Sequence, residues 1–549
     1  MPDIALLAPI VVPLLGAGAL LLLGGRHHYR ARDPLPALIA GTIFAAALLL
    51  PERASTQTEL LPWPSIQVLG SRLAILVDQF ALIFVFALAL LAIASTIVGD
   101  SLSGRSWAMP ILLWGGSLCI VISANPLMLL LSWILCESAL IGASLLTREP
   151  RILAYRLAVG GAGTVALLVL AMQGEVYPTT DLQTVLANLS PRWAAAFFAI
   201  GAIRMGLYPL HLASFDQTDA PLTPLVLGRL SSAMAGLYLW FRGLTTVTSL
   251  RPQMEYLIVV GGLAVLISAF ATWGARGERS LFPWLVGFEL SVIVVALGFV
   301  TPRVTILAAL EMLNLLLASS VFGLSLYAVN RIEGRWSQRW VRGLAFLATA
   351  SLLGLPPTPG FVARWGLYLS AIEAGNVAAI LPVVAASGLL APSLFASIRA
   401  RRRRPMRRSS NHAVIGLTIL GLPLLLVSAQ PLILAPILDI VTSVTSYSVM
   451  VRLIRGASAS ESAQILALIV VPVLVGYSLD RVHDRSRAYS QLDSLWRFLS
   501  LRWLYDLLAS TVIRAAIAVS ILLTFLELGS MLGWVVVVGL LLVLLVLRR

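Results

Sequence analysis

The sequence has no lysine; all 39 residues of the Lys+Arg total are arginines. A buried lysine can give up its proton near neutrality, whereas arginine keeps its charge, so a mechanism that needs a titrating lysine is excluded. Cysteine is nearly absent: Cys119 and Cys136 are the two copies, both inside apolar segments. Neither a disulfide framework nor an iron–sulfur site can be built from them. Of five histidines only His211 falls near membrane depth, which argues against a haem held between paired axial ligands. The sequence shows no Gly-rich phosphate loop, nucleophile triad or metal-ligand cluster. No metal, no cofactor and no active site are therefore expected within this chain.

Charge is also scarce. Charged residues make up 12% of 549 positions against 59% hydrophobic, and mean hydropathy is +0.93. A span needs about 20 apolar residues. By that measure the sequence predicts an all-α polytopic membrane protein with about 16 transmembrane helices. The long unalternating runs exclude a β-barrel. The segment from Ile4 to Leu23 lacks a small-residue cleavage site and is long enough to be the first span.

The arginines set the expected orientation. With the N-terminus outside, most loop arginines fall in cytoplasmic loops, among them Arg26, Arg148, Arg276, Arg331 and the run Arg401 to Arg404. Five fall in external loops: Arg53, Arg72, Arg192, Arg251 and Arg303. That asymmetry follows the positive-inside rule and predicts a multi-pass protein of the inner (cytoplasmic) membrane. The RRRRPMRR run lies between two spans, so it reads as a topology signal touching anionic lipid rather than a nucleic-acid patch.

Two spans are interrupted by proline. The seventh, over 193–210, breaks at Tyr208-Pro209; the twelfth, over 342–372, breaks at Pro356-Pro357-Thr358-Pro359-Gly360. The breaks lie five spans apart, so the two helices run in opposite directions, and each has an arginine beside it, Arg204 or Arg364. Paired broken helices point to inverted halves with an ion pathway between them. The chain then divides into three N-terminal spans (1–106), a first five-helix repeat (107–245), an inverted second repeat (254–399) and a C-terminal part (413–549). Within the last, Leu495, Trp496, Leu499, Trp503 and Leu507 share helical spacing with Arg497, Asp506, Ser510 and Arg514 on the other side. This predicts an amphipathic lateral helix at about 490–526, lying along the membrane surface, followed by a last span.

Several local patterns carry a family resemblance. Leu76-Val77-Asp78-Gln79-Phe80 opens the third span; the run Leu131 to Glu137 ends on a glutamate in the fifth. Arg204 precedes Pro209-Leu210-His211 and then Asp216; Thr223-Pro224 enters the eighth span; Gly360 to Arg364 follows the second break. In this order they resemble the antiporter-like, proton-translocating membrane subunits of respiratory complex I, of Mrp-type antiporters and of membrane-bound hydrogenases. The layout is most similar to the distal subunit with its lateral helix. The resemblance implies a central proton pathway of glutamate, basic residues and histidine. It makes Glu137 the input glutamate, controlled by Arg204, with Asp78, Asp216, Pro209 and Pro359 as structural or access positions. This sequence departs from the pattern: Arg204 and Arg364 stand where lysines are expected, the central eighth-span position falls on Met234 with Arg229 nearby, and Ser319 and Glu311 occupy the eleventh-span positions.

Because arginine cannot relay a proton, Glu289 and Glu311 are the candidate titrating stations, with Arg229 or Arg364 as partners. His211 can titrate near neutral pH or cap the broken helix. Asp216 and Asp219 are expected on the cytoplasmic side. The expected partners are other membrane subunits and a soluble energy-supplying or redox arm, in the lipid bilayer, with no nucleic acid. Three other readings stay open: a degenerate scaffold that no longer conducts, the membrane half of an inorganic-carbon uptake complex, and a free-standing cation/proton antiporter.

Overall fold

A computed structural model describes residues 4–23, 35–49, 56–62, 72–99, 102, 104–147, 150–172, 182–213, 221–246, 255–275, 277–299, 302–329, 331–332, 334–399, 412–430, 433, 436–437, 458–482 and 493–527. Nearly all of the described residues are helical, because a backbone in hydrocarbon must satisfy its own polar groups. The helices are α1 (Ile4–Leu23), α2 (Leu35–Leu49), α3 (Gln79–Val98), α4 (Gly104–Val121), α5 (Pro126–Thr147), α6 (Pro150–Met172), α7 (Leu182–Ala187), α8 (Pro191–Met205), α9 (Leu222–Thr246) and α10 (Tyr256–Gly274). They continue with α11 (Glu278–Gly298), α12 (Pro302–Asn314), α13 (Ser320–Ala328), α14 (Arg335–Leu352), α15 (Pro359–Glu373), α16 (Leu381–Arg399), α17 (His412–Ala429), α18 (Ala459–Val482), α19 (Asp493–Leu499) and α20 (Arg502–Glu527).

Among the described residues, 11 helices are long and apolar enough to cross a membrane. The sequence-based expectation of about sixteen differs for identifiable reasons. The apolar parts of α1 and α2 are short, both proline-broken spans divide into pieces, and α4 is not among the eleven, whereas α20, expected to lie along the surface, is. The last expected span lies outside the described residues.

The expectation of an all-helical chain misses a small sheet. Strand β1 (Thr56–Pro62) pairs antiparallel with β2 (Arg72–Val77). The backbone of β2 also bonds to the turn after α4, through Leu76 N to Ile122 O at 2.9 Å and Ala124 N to Ala74 O at 3.2 Å. Ile75 and Val77 favour extended backbone, and pairing on both sides satisfies it without a helix.

The core is built around α9, whose whole apolar window is buried; α11 and α12–α13 follow at 94%. Helix α9 packs against α3, α4, α8, α11 and α13. At the periphery, α18 packs on α16, and α20 packs on α6.

Both broken spans use the same local construction. Helix α8 ends at Gly206 (φ 63°), with Gly206 N bonding to Ile203 O and Leu207 N to Ala202 O. Helix α14 ends at Gly354 (φ 68°), with Gly354 N bonding to Ser351 O and Leu355 N to Ala350 O. A left-handed glycine closing a helix in this way satisfies the last carbonyls, and a side chain there would be strained. In both, a cis prolyl bond follows: Tyr208-Pro209 and Pro356-Pro357. The second span restarts at Pro359, the first residue of α15, with the Thr358 hydroxyl accepting from Phe361 N at 3.2 Å. The first break continues as a short 3-10 turn, His211–Ala213. The sequence placed the twelfth span at 342–372; the helix begins earlier, at Arg335, because its first turns are amphipathic and carry Arg335, Arg339 and Arg342.

Candidate functional site

The first cluster forms where α5, α6 and α8 meet. Glu137 on α5 and Arg204, two residues before the α8 cap, are both buried and bond at 2.8 Å. The guanidinium also lies 3.8 Å from the centre of the Trp133 ring, one turn earlier on α5. Ser232 on α9 donates to the Arg204 carbonyl at 2.7 Å. Space for the Glu137 carboxylate is made by Gly160 on α6: a Cβ there would stand 2.0 Å from Glu137 Oε2.

One turn from Gly160 on the same face of α6 is Arg156, which the sequence patterns did not single out. It is buried and donates to the Leu140 carbonyl at 2.7 Å and to the Ser144 hydroxyl at 2.6 Å. Its signal was an arginine inside an apolar run.

The second cluster forms where α11, α12, α15 and α16 meet. Arg364 sits at its centre, fully buried. Its Nε donates to Glu311 Oε1 at 3.1 Å, its Nη2 to Glu289 Oε1 at 3.3 Å and its Nη1 to the Ser387 hydroxyl at 3.3 Å. Of the two partners expected for the glutamates, Arg364 takes both. Helix α12 then passes into a π-helical turn, Leu315–Ser319, a mid-span irregularity often found at functional sites. Buried polar atoms gather nearby: Glu311 Oε2, Asn314 Nδ2, Ser319 Oγ, Ser325 Oγ and Thr349 Oγ1 have no hydrogen-bond partner among the described residues. Asn314 Oδ1 accepts from Ser351 at 2.6 Å, and Ser351 accepts from Gly360 N at 3.3 Å, tying α12 to the second break.

Between the clusters lies Arg229. From α9 it donates to the carbonyls of Met205 and Gly206, the latter at 3.2 Å, so it binds the end of α8 at the first break. A cation belongs at a helix C-terminus, where carbonyls point outward. His211 lies in an aromatic box: it stacks on Tyr208 with ring centres 5.5 Å apart, meets Trp284 at 4.5 Å and meets Tyr505 edge-on at 6.1 Å. Arg229 and His211 share a small cavity with Ser268, Trp284 and Gly287, with room for about one water molecule. Gly287 is two residues before Glu289, so the cavity lies between the two clusters.

Other expected positions have structural roles. Asp78 caps α3, accepting from Ala81 N at 2.8 Å, and pairs with Arg242 at 2.7 Å. Pro209 offers its carbonyl to the Tyr505 hydroxyl at 2.5 Å. Asp216 lies outside the described residues, as does Asp219.

No family model matches the chain. Over 221 residues, 37% of this chain and 44% of the relative, it is 28% identical to the N subunit of NADH-quinone oxidoreductase from Desulforudis audaxviator. It is 23% identical over 253 residues to a Na(+)/H(+) antiporter subunit of Alkalihalophilus pseudofirmus, 43% of this chain and 49% of that one. The chain spans less than half the length of these curated relatives.

Solved structures match over far more of the chain. A chain of an archaeal membrane-bound sulfane sulfur reductase superposes with a TM-score of 0.72 at 16% identity, covering 99% of this chain and 100% of that one. The fold is that of this reductase chain, part of a membrane-bound assembly. A chain of the Mrp complex from a Dietzia species gives 0.71 at 19% identity, covering 99% of this chain and 62% of that one. One of Thermus thermophilus respiratory complex I gives 0.66 at 20% identity, covering 82% and 99%. The matched proteins are of the kinds that the patterns at Asp78, Glu137, Pro209 and Gly360 resemble. All three structural matches are chains of multi-subunit membrane assemblies.

Proposed function

We propose that this chain is a proton-translocating subunit of a complex-I-like membrane assembly. In this reading Glu137 and the Glu289–Glu311 pair are the groups that load and release protons. The observation that carries it is the second cluster, in which two buried carboxylates face one guanidinium. With both ionised, one negative charge there has no counter-charge among these three groups, and burying a lone charge is costly. A proton completes the site at least cost. The lysines' work is thus divided: arginines supply fixed charge, and glutamates replace them as the groups that titrate.

The partnerless polar atoms along α12, α13 and α14 favour ordered water there. Such water gives protons a route between Glu311 and the end of α14. The matching glycine-closed breaks in α8 and α14 support two inverted five-helix repeats, 107–245 and 254–399. The lateral-helix reading rests on α19 and α20, where the helix is split at Leu501 (φ 53°). The arginine distribution supports an inner membrane with the N-terminus outside. Energy would come from partner subunits, including a soluble arm.

The test uses membrane vesicles containing the full assembly. Glu137→Gln and Glu289→Gln should each lower coupled proton uptake on the order of 10²-fold while leaving assembly intact. Unchanged uptake in both variants would instead favour the non-conducting scaffold.

A further inference from the structure

We propose that a groove between the second break, α16 and α18 is a binding site for one anionic phospholipid, with an acyl chain in the groove and the phosphate at Arg399. The groove has a volume of about 680 Å³, within the roughly 300–1,000 Å³ range of ligand pockets. Its walls are the apolar side chains of Phe346, Leu355, Phe395, Leu474 and Tyr477, and Arg399 stands at one end. The rings form a continuous surface: Phe346 meets Phe395 at 6.4 Å, and Phe395 meets Tyr477 edge-on at 5.5 Å.

Two observations specify the occupant. The walls offer almost nothing to hydrogen-bond, so the body of the ligand is hydrocarbon. Arg399 is exposed, and its guanidinium lies 4.8 Å from the centre of the Tyr477 ring, held at the mouth by cation–π contact. A helix C-terminus alone would favour a cation here. The ring that fixes it over an apolar groove is a separate feature, and it leaves the guanidinium N–H groups available to a phosphate. In sequence, Arg401, Arg402, Arg403 and Arg404 follow at once. An acyl chain ending in an anionic headgroup matches both the apolar walls and the cationic mouth; a zwitterionic lipid matches the walls alone. Leu355 and Pro356 form part of the wall, so the bound chain abuts the second break.

The experiment compares full-length protein, purified in mild detergent, with added phosphatidylglycerol, phosphatidylcholine or inorganic phosphate. Native mass spectrometry counts bound lipid and a melting curve reads stabilisation. Phosphatidylglycerol should bind and raise Tm, phosphatidylcholine should do so less, and inorganic phosphate should do nothing. Arg399→Gln should weaken phosphatidylglycerol about fivefold, to the level of phosphatidylcholine. Leu474→Trp fills the groove while leaving every arginine in place, and should reduce both lipids. Equal response to the two lipids in the wild type overturns the proposal, as does a phosphatidylglycerol preference that survives Leu474→Trp. The first comparison needs no variant, so it decides even where a substituted chain fails to fold.

Discussion

Gly160 and Gly161 are adjacent on α6 and differ in what a side chain would meet. At Gly160 a Cβ would collide with the Glu137 carboxylate; at Gly161 nothing lies within 4 Å. Gly160→Ala should therefore push Glu137 from Arg204 and lower proton uptake as Glu137→Gln does, whereas Gly161→Ala should leave uptake unchanged. Vesicle uptake assays on the pair check this directly. Arg364 gives the opposite kind of test, because it holds two buried acids at once. Arg364→Met strands both, and removing one partner of a buried pair typically costs about 3–5 kcal/mol. Its melting temperature should fall well below that of Glu289→Gln, which leaves Arg364 bonded to Glu311. Equal melting temperatures would mean that the carboxylates have other counter-charges.

At the level of elements, the C-terminal helices are bonded to the first break. The Tyr505 hydroxyl donates to the Pro209 carbonyl, and the Tyr208 hydroxyl donates to the Leu499 carbonyl at 2.9 Å. Tyr155 on α6 donates to Asp506 at 2.5 Å, and its ring meets that of Tyr505 edge-on at 5.5 Å. Tyr505→Phe keeps the ring contacts and removes one hydrogen bond, so it should cost about 1 kcal/mol of the docking of α20. Limited proteolysis between α18 and α20 would register it as faster cleavage. The amphipathic pattern of this tail was legible as Leu495, Leu499, Trp503 and Leu507 against Arg497 and Asp506. What it docks against was not: Tyr505 and Asp506 meet Pro209 and Tyr155, while Leu495, Trp503 and Leu507 of the expected apolar face stay exposed.

For the whole molecule, the arginine asymmetry predicts which side of the membrane each loop faces. Both native cysteines are buried, so a single introduced thiol can be read against a silent background. Ser409→Cys, in the loop after the arginine run, should react with an impermeant thiol reagent in inside-out vesicles and not in intact cells. Labelling in intact cells would reverse the orientation.

Residue order alone gave the membrane class, the two proline breaks, the absence of a lysine relay and most, though not all, of the buried charges, Arg156 being the exception. Each follows from a local rule: apolar length, missing backbone donors, or the cost of charge in hydrocarbon. The pairing of these charges came from packing. Arg364, rather than Arg229, holds Glu289 and Glu311, and Arg229 instead binds the carbonyls that end α8. Arg156 and Gly160 entered the first cluster the same way, through the packing of α6 on α5. Helical spacing fixes the face a side chain occupies, but the side chain across the gap belongs to a helix far away in the chain, and only packing brings the two together.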